Sequence, residues 1–362
     1  MNPLLLKLGI SLPIIQAPMA GTSTPALTAA VSNAGGLGSL GIGAMTPENA
    51  RATIAKTRAA TKQPFNVNLF CHRPPEHAPE REARWIKNLA PEFARFGAAP
   101  PTALREIYRT FVNDEDMFAM LLLERPAVVS FHFGLPSPVK LAALRAAGIV
   151  LLASATSLAE ARAVQAAGID AVVAQGFEAG GHRGMFDPDA PDERLGTLAL
   201  TRLLAHEMKI PVIAAGGIMD GAGIAASLLL GASAAQLGTA FVACPETDAD
   251  NAYREALLDK NVRTVMTTAI SGRPARCLAN AFTALGERFG DEDIAPYPMA
   301  YDVGKALITA AKAKGETGYG AQWAGQGAGL ARALPADTLM AVLETELREA
   351  LARPPVLRAN PL

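Results

Sequence analysis

The chain has 362 residues, half of them apolar, with a formal net charge of −1 from 33 Lys and Arg against 34 Asp and Glu. That balance, with no basic block, argues against a nucleic-acid surface, and no such partner is expected. The cysteines Cys71, Cys244 and Cys277 are too few and scattered for a disulfide framework or zinc ribbon.

The N-terminus, Met1 to Leu12, carries one lysine and short apolar runs before Pro13, so it reads as neither signal peptide nor anchor. The longest apolar stretches, such as Ala225 to Leu230, fall short of the ~18–20 residues of a membrane helix. A soluble protein of the reducing cytoplasm, with no membrane partner, is the expectation.

Eight strand-like apolar runs then follow in order: Pro13–Met19, Gly36–Gly43, Phe65–Phe70, Ala127–Gly134, Val150–Thr156, Ala171–Gly176, Pro211–Gly217 and Ala234–Val242. Ala-rich helical stretches separate most of them: Thr24–Ala34, Pro47–Thr61, Ser137–Ala147, Leu158–Ala167, Leu198–Met208 and Asp220–Leu230. This alternation predicts an α/β fold with a parallel sheet covered on both faces. Eight units favour a closed (β/α)8 arrangement, the TIM barrel, over an open Rossmann-type sheet. Gly36-Leu37-Gly38-Ser39-Leu40-Gly41 matches a dinucleotide fingerprint in letters only. It follows a helix and lies within a strand, so it reads as tight turning and close contact.

Two segments interrupt the rhythm. Residues 71–125, with Pro74, Pro75, Pro79, Pro100 and Pro101, read as a helical insertion after the third strand. Residues 245–334 follow the eighth strand and would cover the C-terminal mouth of the barrel, where active sites of this fold lie. The expected division is a barrel over 1–244, a smaller, mainly helical substrate or lid domain over 245–334, and a segment 335–362 whose helix, Pro335–Ala350, returns to the barrel.

Polar residues cluster at the strand ends. The two-residue period puts Asn66 and Asn68 on one face of their strand, and Ser130 and His132 on one face of theirs. Gln16, Gln175 and Gln236 sit within apolar runs. Singly these suit a satisfied core network, whereas together they favour a bound polar ligand. The loop Gly176-Phe177-Glu178-Ala179-Gly180-Gly181-His182-Arg183-Gly184 sets a histidine, the side chain that titrates near neutrality, in a glycine-rich turn. Gly216 and Gly217 after the seventh strand, and Thr239 in the run Gln236-Leu237-Gly238-Thr239, occupy the places where barrels commonly bind phosphate. Their spacing suits the phosphate of a flavin mononucleotide. His72, His77 and His206 lack convergent partners, and no metal is assigned. Tyr297, Tyr301 and Lys305 recur every four residues, with a helix beginning only around Met299 because of Pro296 and Pro298. They read either as a solvated face or as a lid wall for an anionic substrate. Tyr108 is a weaker candidate for the same wall, with core contact as its alternative.

With these residues assembled, the chain resembles the nitronate monooxygenases, formerly 2-nitropropane dioxygenases, of the bacterial class I group. The resemblance is carried by Pro13 through Gly21, Ala34 through Gly38, Asn66-Val67-Asn68-Leu69-Phe70, Val129 through Pro136, Gln175 through Gly184 and Ala324-Gly325-Gln326-Gly327-Ala328-Gly329. It implies FMN as cofactor, contacted by Asn68, Gln175, Gly180 and Gly181, Gly216 and Gly217, and Gln236, Leu237, Gly238 and Thr239, with Ala17 and Met19 beside the isoalloxazine ring. It implies His182 as the active-site histidine, with His132 a second one nearby. The reaction implied takes an alkyl nitronate and O₂ to a carbonyl compound and nitrite, with propionate 3-nitronate as substrate and detoxification as the role. Arg183, Lys305 or a tyrosine would pair with a substrate carboxylate. Two alternatives stay open: an FMN-dependent NAD(P)H reductase of the quinone or enoyl-ACP type, although no NAD fingerprint is visible, and a flavin-binding protein without turnover.

Overall fold

The computed structural model describes residues 2–353. Met1 and residues 354–362, the end of the expected C-terminal segment, lie outside the described residues. Eight parallel strands form the central sheet: β1 (Ile14–Gln16), β2 (Gly38–Gly41), β3 (Phe65–Phe70), β4 (Val128–His132), β5 (Val150–Ala155), β6 (Ala171–Gln175), β8 (Val212–Ala215) and β9 (Ala234–Leu237). β7 (Gly181–His182) belongs to a separate sheet. The order β1-β9-β8-β6-β5-β4-β3-β2 is closed by Leu37, whose N–H donates to the Ile14 carbonyl and whose carbonyl accepts from the Gln16 N–H, each at 3.0 Å. The eight-stranded TIM barrel expected from the sequence is therefore formed.

Two strand ends differ from expectation. The first run stops at Gln16 rather than Met19, because Pro18 has no N–H for the ladder and Met19 N–H turns back to Ser23 Oγ at 3.0 Å. The last run was expected to reach Val242, but the chain leaves the sheet at Gly238 and winds into the short helix Thr239–Val242. Elsewhere the two-residue period holds. Val67, Leu69, Val129 and Phe131 face the helical layer in one core cluster, while Asn66, Asn68 and Ser130 bond one another inside the barrel.

The base of the barrel is closed by a helix the sequence reading did not include, Pro3–Leu8. Asn2 caps it by accepting from Leu4 N–H at 3.0 Å. Its Leu4 and Leu8 are buried with Ile15, Leu152, Val173 and Ile213. At the opposite edge of the chain, the helix Ala336–Ala352 buries Leu339, Met340, Leu343 and Leu347 against the helices Pro25–Asn33 and Gly221–Leu229, over the β1–β9 seam.

The insertion after β3 divides between two cores. Its second helix, Glu115–Glu124, takes its place in the outer ring beside Pro47–Ala60 and Pro138–Ala146. Its first, Pro79–Arg95, places Trp85, Leu89 and Phe93 on one face at four-residue spacing. That face packs with Phe282, Met299, Val303 and Leu307, far along the chain. Each such side chain contributes roughly 1.5–3 kcal/mol on full burial.

The region over the barrel mouth also contains a three-stranded antiparallel sheet that the expectation of a mainly helical lid omitted. β10 (Thr264–Thr267) and β11 (Ala275–Leu278) form a hairpin, and β11 pairs with β7 through Ala275–His182 and Arg276–Gly181. Among the described residues no helix is long and apolar enough to cross a membrane.

Gly38 shows how close the layers lie: a Cβ there would stand 2.0 Å from the Thr28 carbonyl oxygen of the covering helix. Backbone cannot yield as a side chain can. Gly38→Ala is therefore expected to lower stability by about 1–3 kcal/mol, read as a lower urea midpoint with unchanged slope.

Candidate active site

A cavity of about 630 Å³ opens at the C-terminal ends of the strands, beneath the second core. Its wall gathers nearly all the residues singled out above: Ala17, Met19, Asn68, Gln175, Gly180, Gly181, Gly216, Gly217, Gln236, Gly238 and Thr239 from the barrel rim, and Tyr108, Tyr297, Tyr301 and Lys305 from above. His132 and His182 line it as well.

Two expected residues are elsewhere. The Leu237 side chain points the other way from Gln236, as strand alternation requires, and is buried with Ile14, Leu27 and Phe241 in the helical layer. Arg183 is buried and committed. Nε and Nη2 donate to the two Asp192 carboxylate oxygens at 2.9 and 2.8 Å, and Nη1 donates to the Gln175 carbonyl at 2.9 Å. It holds the loop and is absent from the cavity wall.

That loop is stitched down from several sides. A Cβ on Gly180 would meet the Ala324 carbonyl carbon at 2.6 Å, so the glycine-rich segment beginning at Ala324 can lie directly on it. Gln326 N–H donates to the Glu178 carbonyl at 2.9 Å, and Gly325 N–H to Thr239 Oγ1 at 2.9 Å. Gln175 Nε2 donates to the His182 carbonyl at 2.9 Å while its Oε1 accepts from Gly184 N–H at 2.7 Å.

The floor has the donors and shape for a flavin. Ser130 Oγ accepts from Asn66 Nδ2 at 2.9 Å and donates to Asn68 Oδ1 at 2.8 Å, which leaves the Asn68 Nδ2 donors for another partner. Gly217, at φ 69°, turns the chain after β8 in the left-handed region. A Cβ at Gly238 would stand 3.4 Å from Ala17 Cβ and 3.8 Å from Met19 Sδ, filling space that the glycine keeps open. An uncharged floor with amide donors and a glycine-rich rim suits a planar ring with a hydrogen-bonding edge and a phosphate tail.

Aromatic rings form the upper half. The His182 ring lies 5.7 Å from Phe133, 5.6 Å from Tyr297, 6.2 Å from Tyr301 and 5.1 Å from Trp323, centroid to centroid. Lys305 Nζ stands 4.8 Å from the Tyr108 ring and 5.2 Å from that of Tyr301, and among the described residues no carboxylate pairs with it. Tyr108 is thus both buried and part of the wall. Tyr297 immediately precedes the helix Met299–Lys312, as its flanking prolines suggested.

Phe133, Trp323, Ser271 and Arg273 were missed by the sequence reading. Phe133 takes φ 72°, a strained conformation for a bulky residue. Only the neighbouring Gly134 hinted at a turn there. Arg273 is 3 % exposed and lies 4.2 Å from the Phe133 ring centroid.

Burial, then the Arg273 charge, holds the His182 imidazole down at about 3. Burial likewise lowers His132 and His72 to about 4, with Arg273 adding to both. Arg273 itself is lowered to about 10 by burial. At neutral pH all three imidazoles are uncharged and the guanidinium beside them is charged.

An amide-lined, glycine-rimmed cavity at the C-terminal mouth of a TIM barrel suits a flavin-dependent oxidoreductase. The chain belongs to the nitronate monooxygenase family: the family model described as nitronate monooxygenase matches residues 2–346. It is 64 % identical over 349 residues to a nitronate monooxygenase of Paraburkholderia phytofirmans, covering 96 % of this chain and 95 % of the relative. Among solved structures, nitroalkane oxidase from Streptomyces ansochromogenes superposes with a TM-score of 0.88 at 42 % identity, over 96 % of this chain and 99 % of that one. FabK from Thermotoga maritima follows at 0.74 and 32 %, over 97 % of each chain.

The three lowered imidazoles set a pH dependence of stability. Unfolded histidines take up protons below about pH 6.5, while the folded ones do not until about 3 to 4. Across that window the unfolded state binds more protons, so stability falls as pH falls and is level above it. Tm is expected to drop between pH 7 and pH 5, and the drop to be shallower in His72→Phe.

Proposed function

We propose that this chain is an FMN-dependent nitronate monooxygenase whose substrate is a small nitronate bearing a carboxylate, propionate 3-nitronate fitting best, and that its role is detoxification. The observation that carries the substrate assignment is Lys305, a cation without a carboxylate partner among the described residues, beside Tyr108 and Tyr301 on the wall of the cavity that holds His182.

In this reading Asn68, Gln175 and Gln236, with Ala17 and Met19, would hold the flavin ring, and Gly216, Gly217, Gly238 and Thr239 would hold its phosphate. Gly180 and Gly181 bring the loop backbone against the cofactor. A bound flavin would supply the redox chemistry between the nitronate and O₂. The protein's part is electrostatic and steric. The nitronate arrives already ionised, so no strong base is needed. Arg273 and Lys305 favour its charge, the rings of Tyr297, Tyr301 and Trp323 exclude water, and neutral His182 orients the reacting group. His132 positions rather than reacts, since its Nδ1 lies 2.9 Å from Ser154 Oγ and its Nε2 3.3 Å from the His182 carbonyl. We assign residues 1–244 to the barrel and 245–334 to the lid, with the helix Pro79–Arg95 completing the lid core.

Flavin released on denaturing the purified holoenzyme is expected to be FMN alone. Anaerobic propionate 3-nitronate should change the flavin spectrum, with nitrite appearing once air is admitted. Rapid reduction by NADH with no response to nitronate would instead make it a reductase. Lys305→Met is expected to raise KM for propionate 3-nitronate about tenfold or more, the loss of one charge-assisted bond, and to leave ethyl nitronate nearly unchanged.

A further inference from the structure

The turn between β10 and β11 contains Ser271, fully buried at 0 % exposure. Its Oγ stands 2.9 Å from His182 Nε2 and 3.2 Å from the Arg273 carbonyl oxygen. A serine hydroxyl has one proton to give, and a carbonyl can only accept. The proton therefore goes to Arg273, and a Ser271 lone pair faces the imidazole. We infer that Ser271 is a positioning residue that holds His182 as the Nε2–H tautomer, making Nδ1 the basic nitrogen of the site.

The surroundings support that assignment. Among the described residues His182 Nδ1 has no protein partner, and it is not a buried orphan atom. The same reasoning gives His132 the same tautomer with a different outcome. Its Nε2 faces a carbonyl and must donate, so its Nδ1 accepts from Ser154 Oγ and both nitrogens are occupied. Of the two imidazoles, His182 alone keeps a free lone pair.

The turn that carries Ser271 is held in place. A Cβ on Gly304 would stand 2.4 Å from the Ile270 carbonyl oxygen, so the helix Met299–Lys312 lies directly on it. The Arg273 guanidinium is fixed by donating to the Met185 carbonyl and by the Phe133 ring. Second-layer hydrogen bonds of this kind commonly set which imidazole nitrogen is available.

The inference rests on the proposed function, in which His182 faces the reacting carbon. With a neutral nitroalkane, the α C–H bond breaks, the proton bonds to His182 Nδ1, and the electron pair moves into the nitro group to give the nitronate anion. The imidazolium so formed keeps its Nε2–H bond to Ser271. A preformed nitronate needs no such transfer and uses His182 only for orientation, so Ser271 bears more heavily on the neutral form.

The test combines nitrogen NMR of histidine-labelled holoenzyme, with His182 assigned through His182→Asn, and kinetics on both substrate forms. The expected result is a protonated Nε2 and a bare Nδ1 in the wild type. Ser271→Ala should move the population toward Nδ1–H and lower kcat/KM for a neutral nitroalkane about tenfold or more, with a clearly smaller loss on preformed nitronate. Ser271→Thr, which keeps the hydroxyl, should restore both. A wild-type Nδ1–H tautomer, a tautomer unmoved by Ser271→Ala, or equal losses on the two forms would each overturn the assignment. The two readings fail separately. Nε2–H in a protein that oxidises neither form would sink the proposed function alone, and Nδ1–H in an active enzyme would sink the role of Ser271 alone.

Discussion

Two side chains converge on one backbone carbonyl. Gln175, at the end of β6, and His132, at the end of β4, both donate to the carbonyl oxygen of His182. On its other side the same residue is paired with Ala275 in the small sheet. This carbonyl is where the barrel rim and the sheet above it are joined, and the site depends on it. It adds to the other contacts that fix the height of the loop after β6, and it holds the backbone that carries the His182 ring toward Ser271. The sequence feature beneath it is modest. Gly180 lets Ala324 press on the loop, and Arg183 and Asp192 neutralise one another outside the cavity.

The charge pattern follows from the same arrangement. Arg273 is buried with an aromatic face and a carbonyl for neighbours, and no carboxylate pairs with it among the described residues. A buried unpaired cation is costly, and it is kept beside three imidazoles that it helps to leave uncharged. On the cavity wall Lys312 is paired with Asp250, whereas Lys305 has no carboxylate partner among the described residues, so an anion entering there meets a cation that is not already engaged. The uncharged floor, with Arg273 and Lys305 above it, suits a neutral ring below and an anionic substrate above.

Much of this was legible in the residues. β3 runs from Phe65 to Phe70 as the apolar run predicts, and the alternation that puts Asn66 with Asn68 on one face of β3, and Ser130 with His132 on one face of β4, is what lets Ser130 bond both asparagines. Local period is a strong signal when one face of a strand is polar and the other is not. The small sheet was missed because β7 has two residues and its partners lie some ninety positions away, so no local pattern marks it. Ser271 and Arg273 were missed for the same reason. A serine in a turn and an arginine before a proline are ordinary in sequence, and their meaning comes from a chain segment far away. Arg183 misled in the opposite sense: its place beside His182 suggested the cavity, and Asp192 had already taken it.

The core that roofs the cavity is built from pieces far apart in the chain. Trp85, Leu89 and Phe93 are made early, and Phe282, Met299, Val303 and Leu307 only after all eight barrel strands. During synthesis the helix Pro79–Arg95 must therefore wait, apolar face uncovered, while the barrel is completed beneath it. The barrel's own seam is covered later still, by Ala336–Ala352. Contacts of such long sequence separation form slowly and leave intermediates prone to association. The strands that carry the floor of the cavity are thus all synthesised before Phe282, Met299, Val303 and Leu307 of its roof, and before the Ala324–Gly325 segment that presses on the floor loop.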